Sequence, residues 1–122
     1  MTGTRAAIYC RVSTEDQAER GTSLTDQQDR CTAFCQTESW IVAGLYVDDG
    51  ISGATTERPE LNRLLADARR GDFDRVVVTD PDRLSRDLVD GLIIERDLAA
   101  RDVEVVYLIQ PSMGPWSDSF AG

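Results

Sequence analysis

The sequence contains no histidine, and this absence limits the chemistry available to the chain. A Ser-His-Asp triad needs an imidazole to take and return the serine proton, so that mechanism is excluded. There are only three cysteines, Cys10, Cys31 and Cys35. An odd number of thiols argues against a disulfide framework, and three thiols without histidine do not complete the usual four-ligand zinc set. We therefore expect buried structural thiols and no metal site.

Lysine is also missing, so all 13 basic residues are arginines, and they stand against 22 acidic residues for a net charge of −9. Non-specific DNA affinity comes mainly from basic side chains that neutralise phosphates. A chain this acidic should not hold DNA tightly by itself. If it acts on DNA, another segment or subunit is expected to provide most of the affinity.

Long apolar runs are absent, so no segment reaches membrane-spanning length. The first ten residues, MTGTRAAIYC, lack the basic region and long apolar stretch of a signal peptide. The content of 41% hydrophobic and 29% charged residues is ordinary for a globular protein, and 122 residues suit one domain. These features predict a cytoplasmic domain with no membrane partner.

Apolar patterns predict strands that alternate with helices along the chain. The strands are predicted at 5–12, 41–47, 75–79 and 103–109, and the helices at 23–39, 57–70 and 83–101. This order predicts an α/β fold with three layers, in which a mainly parallel sheet of four to five strands has helices on both faces. Such sheets bind ligands beyond the carboxyl ends of their strands.

Two local predictions are specific enough to test. The segment 48–56, DDGISGATT, has no apolar periodicity and is predicted to be a loop. The third helix is expected to bury the apolar residues Leu88, Leu92, Leu98 and Ala99 on one face.

Polar residues follow the predicted strands where ligands are expected. Ser13 follows the first strand, and Arg11 lies two positions earlier, which in a strand places both on the same side. Arg58 follows the second strand. Arg83 and Arg86 follow the third and, three apart, share a helix face. Four guanidinium groups are therefore expected to converge around one hydroxyl.

This combination of residue types suits phosphoryl transfer. A serine hydroxyl can attack phosphorus and form a covalent ester, and arginine forks match the phosphate oxygens. Each part also has a structural interpretation: Ser13 could be a loop or capping residue, Arg83 and Arg86 could form a solvated helix face, and Asp80 or Asp82 could cap a helix. Spacing alone supports only a possible phosphate site.

Four sequence blocks together resemble the resolvase/invertase family of serine site-specific recombinases. They are YCRVST at 9–14 with Gln17, Ser23-Leu24 with Gln27, DGISG at 49–53 with Arg58-Pro59, and DRLSR at 82–86. The blocks occur in the family's order and cover about residues 5–110. The longer interval between Gln17 and Ser23 resembles the large serine integrases and transposases more than the small resolvases.

The resemblance implies that Ser13 attacks a DNA phosphodiester and forms a 5′-phosphoserine link. Arg11, Arg83 and Arg86 would contact the scissile phosphate, and Arg58 would assist at the same site. The residues implied to position these groups are Gln17, Gln27, Asp49, Ser52 and Asp82. No metal or nucleotide cofactor is implied, since the phosphoserine link conserves the bond energy for rejoining. The implied partners are double-stranded DNA attachment sites and further copies of the chain, as a homodimer and tetramer.

The resemblance also predicts a division of the chain. Residues 1–110 are expected to form the resolvase-like catalytic domain, and residues 111–122 an irregular tail before the family's dimerisation helix and DNA-binding region. The chain alone is expected to fold without being competent for recombination.

Two other functions stay open on the sequence. A doubly wound domain could bind a nucleotide or phosphate without catalysis, although GxGxxG and GxxxxGK[ST] are absent. An inactive truncated relative could instead act by pairing with an intact recombinase.

Overall fold

The computed structural model describes residues 3–13, 24–51, 58–85 and 87–109, with the backbone alone for residues 13 and 49–51. These ranges contain four strands, β1 (Arg5–Ser13), β2 (Ile41–Ile51), β3 (Arg75–Val78) and β4 (Glu104–Tyr107). They also contain four helices, α1 (Leu24–Glu38), α2 (Pro59–Arg69), α3 (Pro81–Leu84) and α4 (Leu88–Ala99). None of the helices in these ranges is long and apolar enough to cross a membrane.

The strands form one parallel sheet in the order β2-β1-β3-β4. Alternate residues of the central strand β1 enter two separate cores, as the two-residue period of a strand requires. Ala6, Ile8 and Cys10 pack with α1, whereas Ala7 and Tyr9 pack with residues of α2, α3 and α4. Helices therefore cover both faces of the sheet, which confirms the predicted three-layer α/β fold.

The three cysteines all lie in the core beneath α1. Cys31 and Cys35 are one helical turn apart and pack with Cys10 of β1, and all three are fully buried and free of disulfides. Within the described parts of the chain, no group of three or more cysteine or acidic side chains could hold a metal ion. The thiols act as core residues, as the sequence predicted.

Helix α2 follows its predicted pattern closely. Pro59 occupies the first turn, where its missing N–H costs no hydrogen bond. Leu61, Leu64 and Ala68 are buried against the sheet. The chain leaves the helix through Gly71, whose φ of 77° lies in the left-handed region that glycine adopts without strain.

The predicted single helix at 83–101 is wrong, because the segment forms two helices. Ser85 has extended backbone angles, φ −165° and ψ 143°, and ends α3. Helix α4 begins after Asp87, whose carboxylate accepts a hydrogen bond from the N–H of Val89. A serine and an aspartate that bond locally to the backbone compete with a continuous helix.

The predicted buried face of this helix is also wrong. Leu98 is buried, but Leu88 is 76% exposed, Leu92 is 50% exposed and Ala99 is exposed. The position that joins Leu98 in the core is Ile94. Apolar residues occupy several faces of α4, so their spacing did not single out the face that packs on the sheet.

The loop predicted at 48–56 is wrong for its first four residues, which extend β2. Asp48 pairs with Arg11, Asp49 with Val12, and Ile51 with Ser13 of β1. Polar residues and a glycine are acceptable here because the partner strand satisfies the backbone. The predictions for residues 52–56, for Ser23 and for the tail at 111–122 lie outside the described residues.

Candidate active site

The candidate site lies at the point of the sheet where the strand order reverses, on either side of β1. From β1 the chain adds β2 on one side, and it then adds β3 on the other. Within β1, only Ala6–Ile8 pair with β3, so the carboxyl end of β1, from Arg11 to Ser13, projects beyond that strand. In doubly wound sheets, ligands bind in the crevice at such a switch point. The predicted nucleophile position, Ser13, is the last residue of β1.

Gln27 of α1 holds the backbone of Arg11. Its Oε1 accepts a hydrogen bond from the Arg11 N–H at 3.2 Å, and its Nε2 donates to the Arg11 carbonyl at 3.1 Å. One fully buried amide thus takes the place of a neighbouring strand. This arrangement explains a buried glutamine, because buried polar groups need partners, and it fixes the strand two residues before Ser13.

Arg11 and Arg83 bind each other's main chain. Arg11 donates from Nε to the Arg83 carbonyl at 3.1 Å and from an Nη nitrogen to the Asp82 carbonyl, while Arg83 Nη1 donates to the Arg11 carbonyl at 3.1 Å. The carbonyls of residues 82 and 83 belong to α3, and the last four carbonyls of a helix lack partners within it. A cation at this end also suits the helix dipole. The end of α3 is therefore an attractive place for guanidinium groups.

Arg58 reaches the same short helix from the opposite direction. It is the residue before α2, and its Nη1 donates to the Leu84 carbonyl. Its Nη2 forms an ion pair of 2.7 Å with Asp90 Oδ2 on α4. Three of the four predicted arginines thus meet around α3, and the fourth, Arg86, lies outside the described residues.

Asp48 fixes the start of α2 and therefore the backbone position of Arg58, the residue before this helix. Its carboxylate accepts hydrogen bonds from the N–H groups of Glu60 at 3.0 Å and Leu61 at 3.1 Å, and from the Tyr9 hydroxyl at 2.8 Å. Burial, with the bond to Asp48, raises the pKa of Tyr9 above its ordinary value. The phenol consequently stays protonated and donates, and it ties α2 to the central strand.

A second group of polar side chains surrounds the position between α3 and α4. The Ser85 hydroxyl lies 2.9 Å from Asp90 Oδ2, the atom that also binds Arg58, and it accepts a hydrogen bond from the Asp87 N–H at 3.1 Å. In sequence, Ser85 and Asp87 flank Arg86. Asp90 therefore connects α4 to Arg58 and to the residue that ends α3.

The charges of this region are unusual for so acidic a chain. Arg11 is 6% exposed, and the side chains of Arg83 and Arg58 are 12% and 15% exposed. Burying cations is costly unless they are paired or hydrogen-bonded. Here backbone carbonyls, Asp90 and, at 3.8 Å, Asp80 face them. Charges that are shielded from water interact more strongly than charges in water, so this group of guanidinium side chains favours an anionic ligand at the end of β1.

The other predicted site residues are only partly placed. The Asp82 side chain is exposed, and its described contact with the site is through its carbonyl. Asp49 pairs with Val12 along the backbone, and its side chain is outside the described part. Gln17 and Ser52 also lie outside the described residues.

Asp48, Asp90, Ser85 and Tyr9 were not identified from the sequence as site residues. Asp48 precedes by one position the aspartate that was identified, and an aspartate about eleven residues before the first residue of a helix carries no local capping signal. Asp90 is one of several acidic residues on α4. Only the contacts across elements separate these residues from ordinary surface or core positions.

Cys10 is next to Arg11 and is the nearest alternative nucleophile in β1. Burial raises the pKa of its thiol to about 12, so the reactive thiolate is scarce at neutral pH. Its side chain also enters the opposite core, with Cys31 and Val77. The Cys10 thiol is therefore not suited to act as a nucleophile at the end of β1.

Comparison with known proteins finds a matching family model and related sequences. Residues 6–118 match the family model "Resolvase, N terminal domain". The chain is 43% identical over 102 residues to a protein of Bacillus subtilis (strain 168) named as a DNA recombinase, covering 84% of this chain. It is also 37% identical over 81 residues to a resolvase of Escherichia coli, covering 66% of this chain. The aligned parts make up 20% and 33% of those two proteins, respectively.

Solved structures show the same likeness. The N-terminal catalytic domain of TP901-1 integrase has a TM-score of 0.78 and 40% identity, with 86% of this chain and 78% of that one covered. A resolvase family site-specific recombinase from Streptococcus pneumoniae has a TM-score of 0.76 and 28% identity, with 96% and 82% covered.

Proposed function

Because this chain belongs to the Resolvase N-terminal domain family, the catalytic domain family of serine recombinases, we propose that it cuts and rejoins DNA through a covalent phosphoserine at Ser13. The observation that carries the proposal is the meeting of Arg11, Arg58 and Arg83 around α3, beside the end of β1. Guanidinium groups held in place beside a serine-bearing strand end suit the transfer of a phosphoryl group.

In the proposed reaction, the Ser13 oxygen attacks the scissile phosphorus. The new O–P bond forms as the bond from phosphorus to the 3′ oxygen breaks, which leaves a 5′-phosphoserine and a 3′-hydroxyl. The proton lost by Ser13 is balanced by the proton gained on the 3′ oxygen. Rejoining reverses these steps with a 3′-hydroxyl of the recombined strand, so no external energy source is needed.

The arginines are proposed to stabilise the charge that develops on the non-bridging oxygens. Arg11, Arg83 and Arg86 would contact the phosphate, and Arg58 would assist. Preorganised donors of this kind contribute about 100- to 1,000-fold each to a rate. Gln27 supports the site by holding the Arg11 backbone, and we propose positioning roles for Gln17, Asp49, Ser52 and Asp82 as well.

The partner is proposed to be double-stranded DNA at the recombination sites of a mobile element, bound by paired dimers. The net charge of −9 supports a division of labour, in which residues 1–110 perform the chemistry and other protein segments or subunits supply most of the DNA affinity. Residues 111–122 are proposed to lead from the catalytic domain towards such a segment.

The test is the formation of a protein–DNA adduct that resists denaturation. The full-length protein, as its gene encodes it, is incubated with DNA that flanks that gene, and adducts are separated under denaturing conditions. Ser13→Ala removes the proposed nucleophile. Thr37→Ala, which removes an exposed hydroxyl from α1, is the matched control.

We expect adducts from the unaltered protein and Thr37→Ala, none from Ser13→Ala, and a phosphate mapped to Ser13 by mass spectrometry. The proposal fails if the folded, DNA-bound protein yields no adduct, or if Ser13→Ala forms it at the normal rate.

A further inference from the structure

We propose that Asp90 is a positioning residue for strand cleavage, which holds the Arg58 guanidinium at the site and is itself held by Ser85. The inference rests on the proposed function, because it assigns a role in that same reaction. It concerns two residues outside the predicted site set, and it makes α4 part of the catalytic arrangement.

The first observation is that two groups on different helices orient Arg58. The Leu84 carbonyl accepts a hydrogen bond from Nη1, and Asp90 Oδ2 lies 2.7 Å from Nη2. A guanidinium is planar, so two contacts to different nitrogens fix the plane as well as the position. The Leu84 contact alone would leave the group able to rotate about that bond.

The second observation concerns Asp90 itself. Its side chain is 43% exposed, so it would ordinarily sample several rotamers and contribute little through an exposed ion pair. However, the Ser85 hydroxyl lies 2.9 Å from the same Oδ2, and a hydrogen bond to a carboxylate is among the stronger ones. The hydroxyl also lies 3.1 Å from the Asp87 carbonyl, but the Asp90 carboxylate is the nearer and charged acceptor, so Ser85 favours the rotamer in which Asp90 faces Arg58.

The third observation is that this chain of contacts has a fixed base. Ser85 accepts from the Asp87 N–H at 3.1 Å, and Asp87 caps α4 through the Val89 N–H at 3.1 Å. The Ser85 N–H also donates to the Pro81 carbonyl of α3 at 3.1 Å. The junction of α3 and α4 therefore positions Ser85, Ser85 positions Asp90, and Asp90 positions Arg58.

A misplacement of about 1 Å in a catalytic group can lower a rate by about 100-fold. We therefore expect Asp90→Ala to slow adduct formation at saturating DNA by about 10- to 100-fold. Asp90→Asn keeps one oxygen but loses the charge, so it should lie between Asp90→Ala and the unaltered protein. Ser85→Ala should reduce the rate less than Asp90→Ala.

The control is Asp97→Asn, which makes the same chemical change on the same helix. Asp97 pairs at 3.8 Å with Arg69, a residue at the far end of α2. Its rate should equal that of the unaltered protein. Asp90 is partly exposed on a helix, where alanine is favourable, and thermal unfolding of each variant monitors the fold.

A double-mutant cycle distinguishes positioning from a general structural effect. If Asp90 acts through Arg58, Asp90→Ala changes the rate by less than about 2-fold in an Arg58→Ala background. DNA affinity, measured separately, should change little in the single Asp90 variants.

The experiment uses the full-length protein and the flanking DNA in the adduct assay. An unchanged or faster rate for Asp90→Ala, with a Ser13-dependent adduct still formed, overturns the role of Asp90 and leaves the proposed function standing. Equal losses with and without Arg58 also overturn it. The absence of any Ser13-dependent adduct from the unaltered protein overturns both proposals.

Discussion

The stability of the fold should depend strongly on the carboxylate of Asp48. This residue is 2% exposed and accepts hydrogen bonds from two N–H groups of α2 and from the Tyr9 hydroxyl. Asp48→Ala removes all three acceptor contacts at once. Loss of a helix cap costs about 0.5–2 kcal/mol, and a buried donor left without a partner costs about 1–3 kcal/mol.

Because these contributions overlap, we expect Asp48→Ala to lower the free energy of unfolding by about 2–4 kcal/mol. With an m-value of about 2 kcal/mol per molar urea, the unfolding midpoint falls by about 1–2 M. Tyr9→Phe removes one of the three contacts and should cost about 1 kcal/mol. The exposed Asp29→Ala on α1 is the control and should change stability by less than about 0.5 kcal/mol.

The measurement is urea unfolding at neutral pH, followed by circular dichroism. The cycle formed by Tyr9→Phe and Asp48→Ala should be clearly non-additive, because the phenol loses its partner in either variant. A cost below 1 kcal/mol for Asp48→Ala, or additive costs in the cycle, would refute the role given to this carboxylate.

Three further predictions use the same unfolding measurement. Gly44→Ala should destabilise the chain by about 1–3 kcal/mol, because its Cβ would come within 2.9 Å of the Tyr46 ring. Gly91→Ala in α4 meets only an ordinary contact at 3.7 Å and should stabilise the chain by about 0.5–1 kcal/mol. The reverse order of stabilities would contradict this packing. Gln27→Leu should cost about 1–3 kcal/mol, since it leaves the Arg11 backbone without the amide, and a neutral result would show that water replaces it. Burial raises the pKa of Cys10 to about 12, so this thiol's contribution to stability is complete below pH 9 and is lost as the pH rises from 9 to 12, at about 1.4 kcal/mol per pH unit. In Cys10→Ala, the free energy of unfolding should therefore fall less steeply over this pH range. An equal slope would count against the raised pKa of Cys10.

The sheet and its order of elements could be predicted because their signals are local. Strand β3 is a run of valines bounded by polar residues, and α2 carries leucines at helical spacing after a proline. The alternation of such segments leaves few topologies, since crossovers between parallel strands are right-handed. The positions of Arg11, Arg58 and Arg83 beside α3 then follow from the carboxyl ends of the strands.

The errors arose where polar contacts and strand pairing, which the apolar pattern does not show, decide the structure. The loop predicted after β2 ignored that β1 continues far enough to pair with Asp48 and Ile51. The prediction of a single third helix did not take into account the hydrogen bonds of the Ser85 hydroxyl with Asp87 and Asp90. These bonds favour an extended backbone at Ser85. Likewise, no pattern within α4 distinguishes Ile94 from Leu92 until the helix is placed on the sheet.

The hydrogen bonds that Arg11, Arg58 and Arg83 make at α3 have a consequence for which substitutions the site tolerates. All three donate to main-chain carbonyls, those of Asp82, Arg83, Leu84 and Arg11, and Arg58 also pairs with the Asp90 carboxylate. A carbonyl is present whatever residue supplies it, so the acceptor positions can change identity without losing the contact. The guanidinium donors have no such substitute. Exchange of Leu84, which is buried in the core, for another apolar residue should therefore leave the arrangement of the arginines intact as long as α3 keeps its helical backbone, so a library randomised at this position should return several apolar residues, whereas one randomised at the arginines should return arginine.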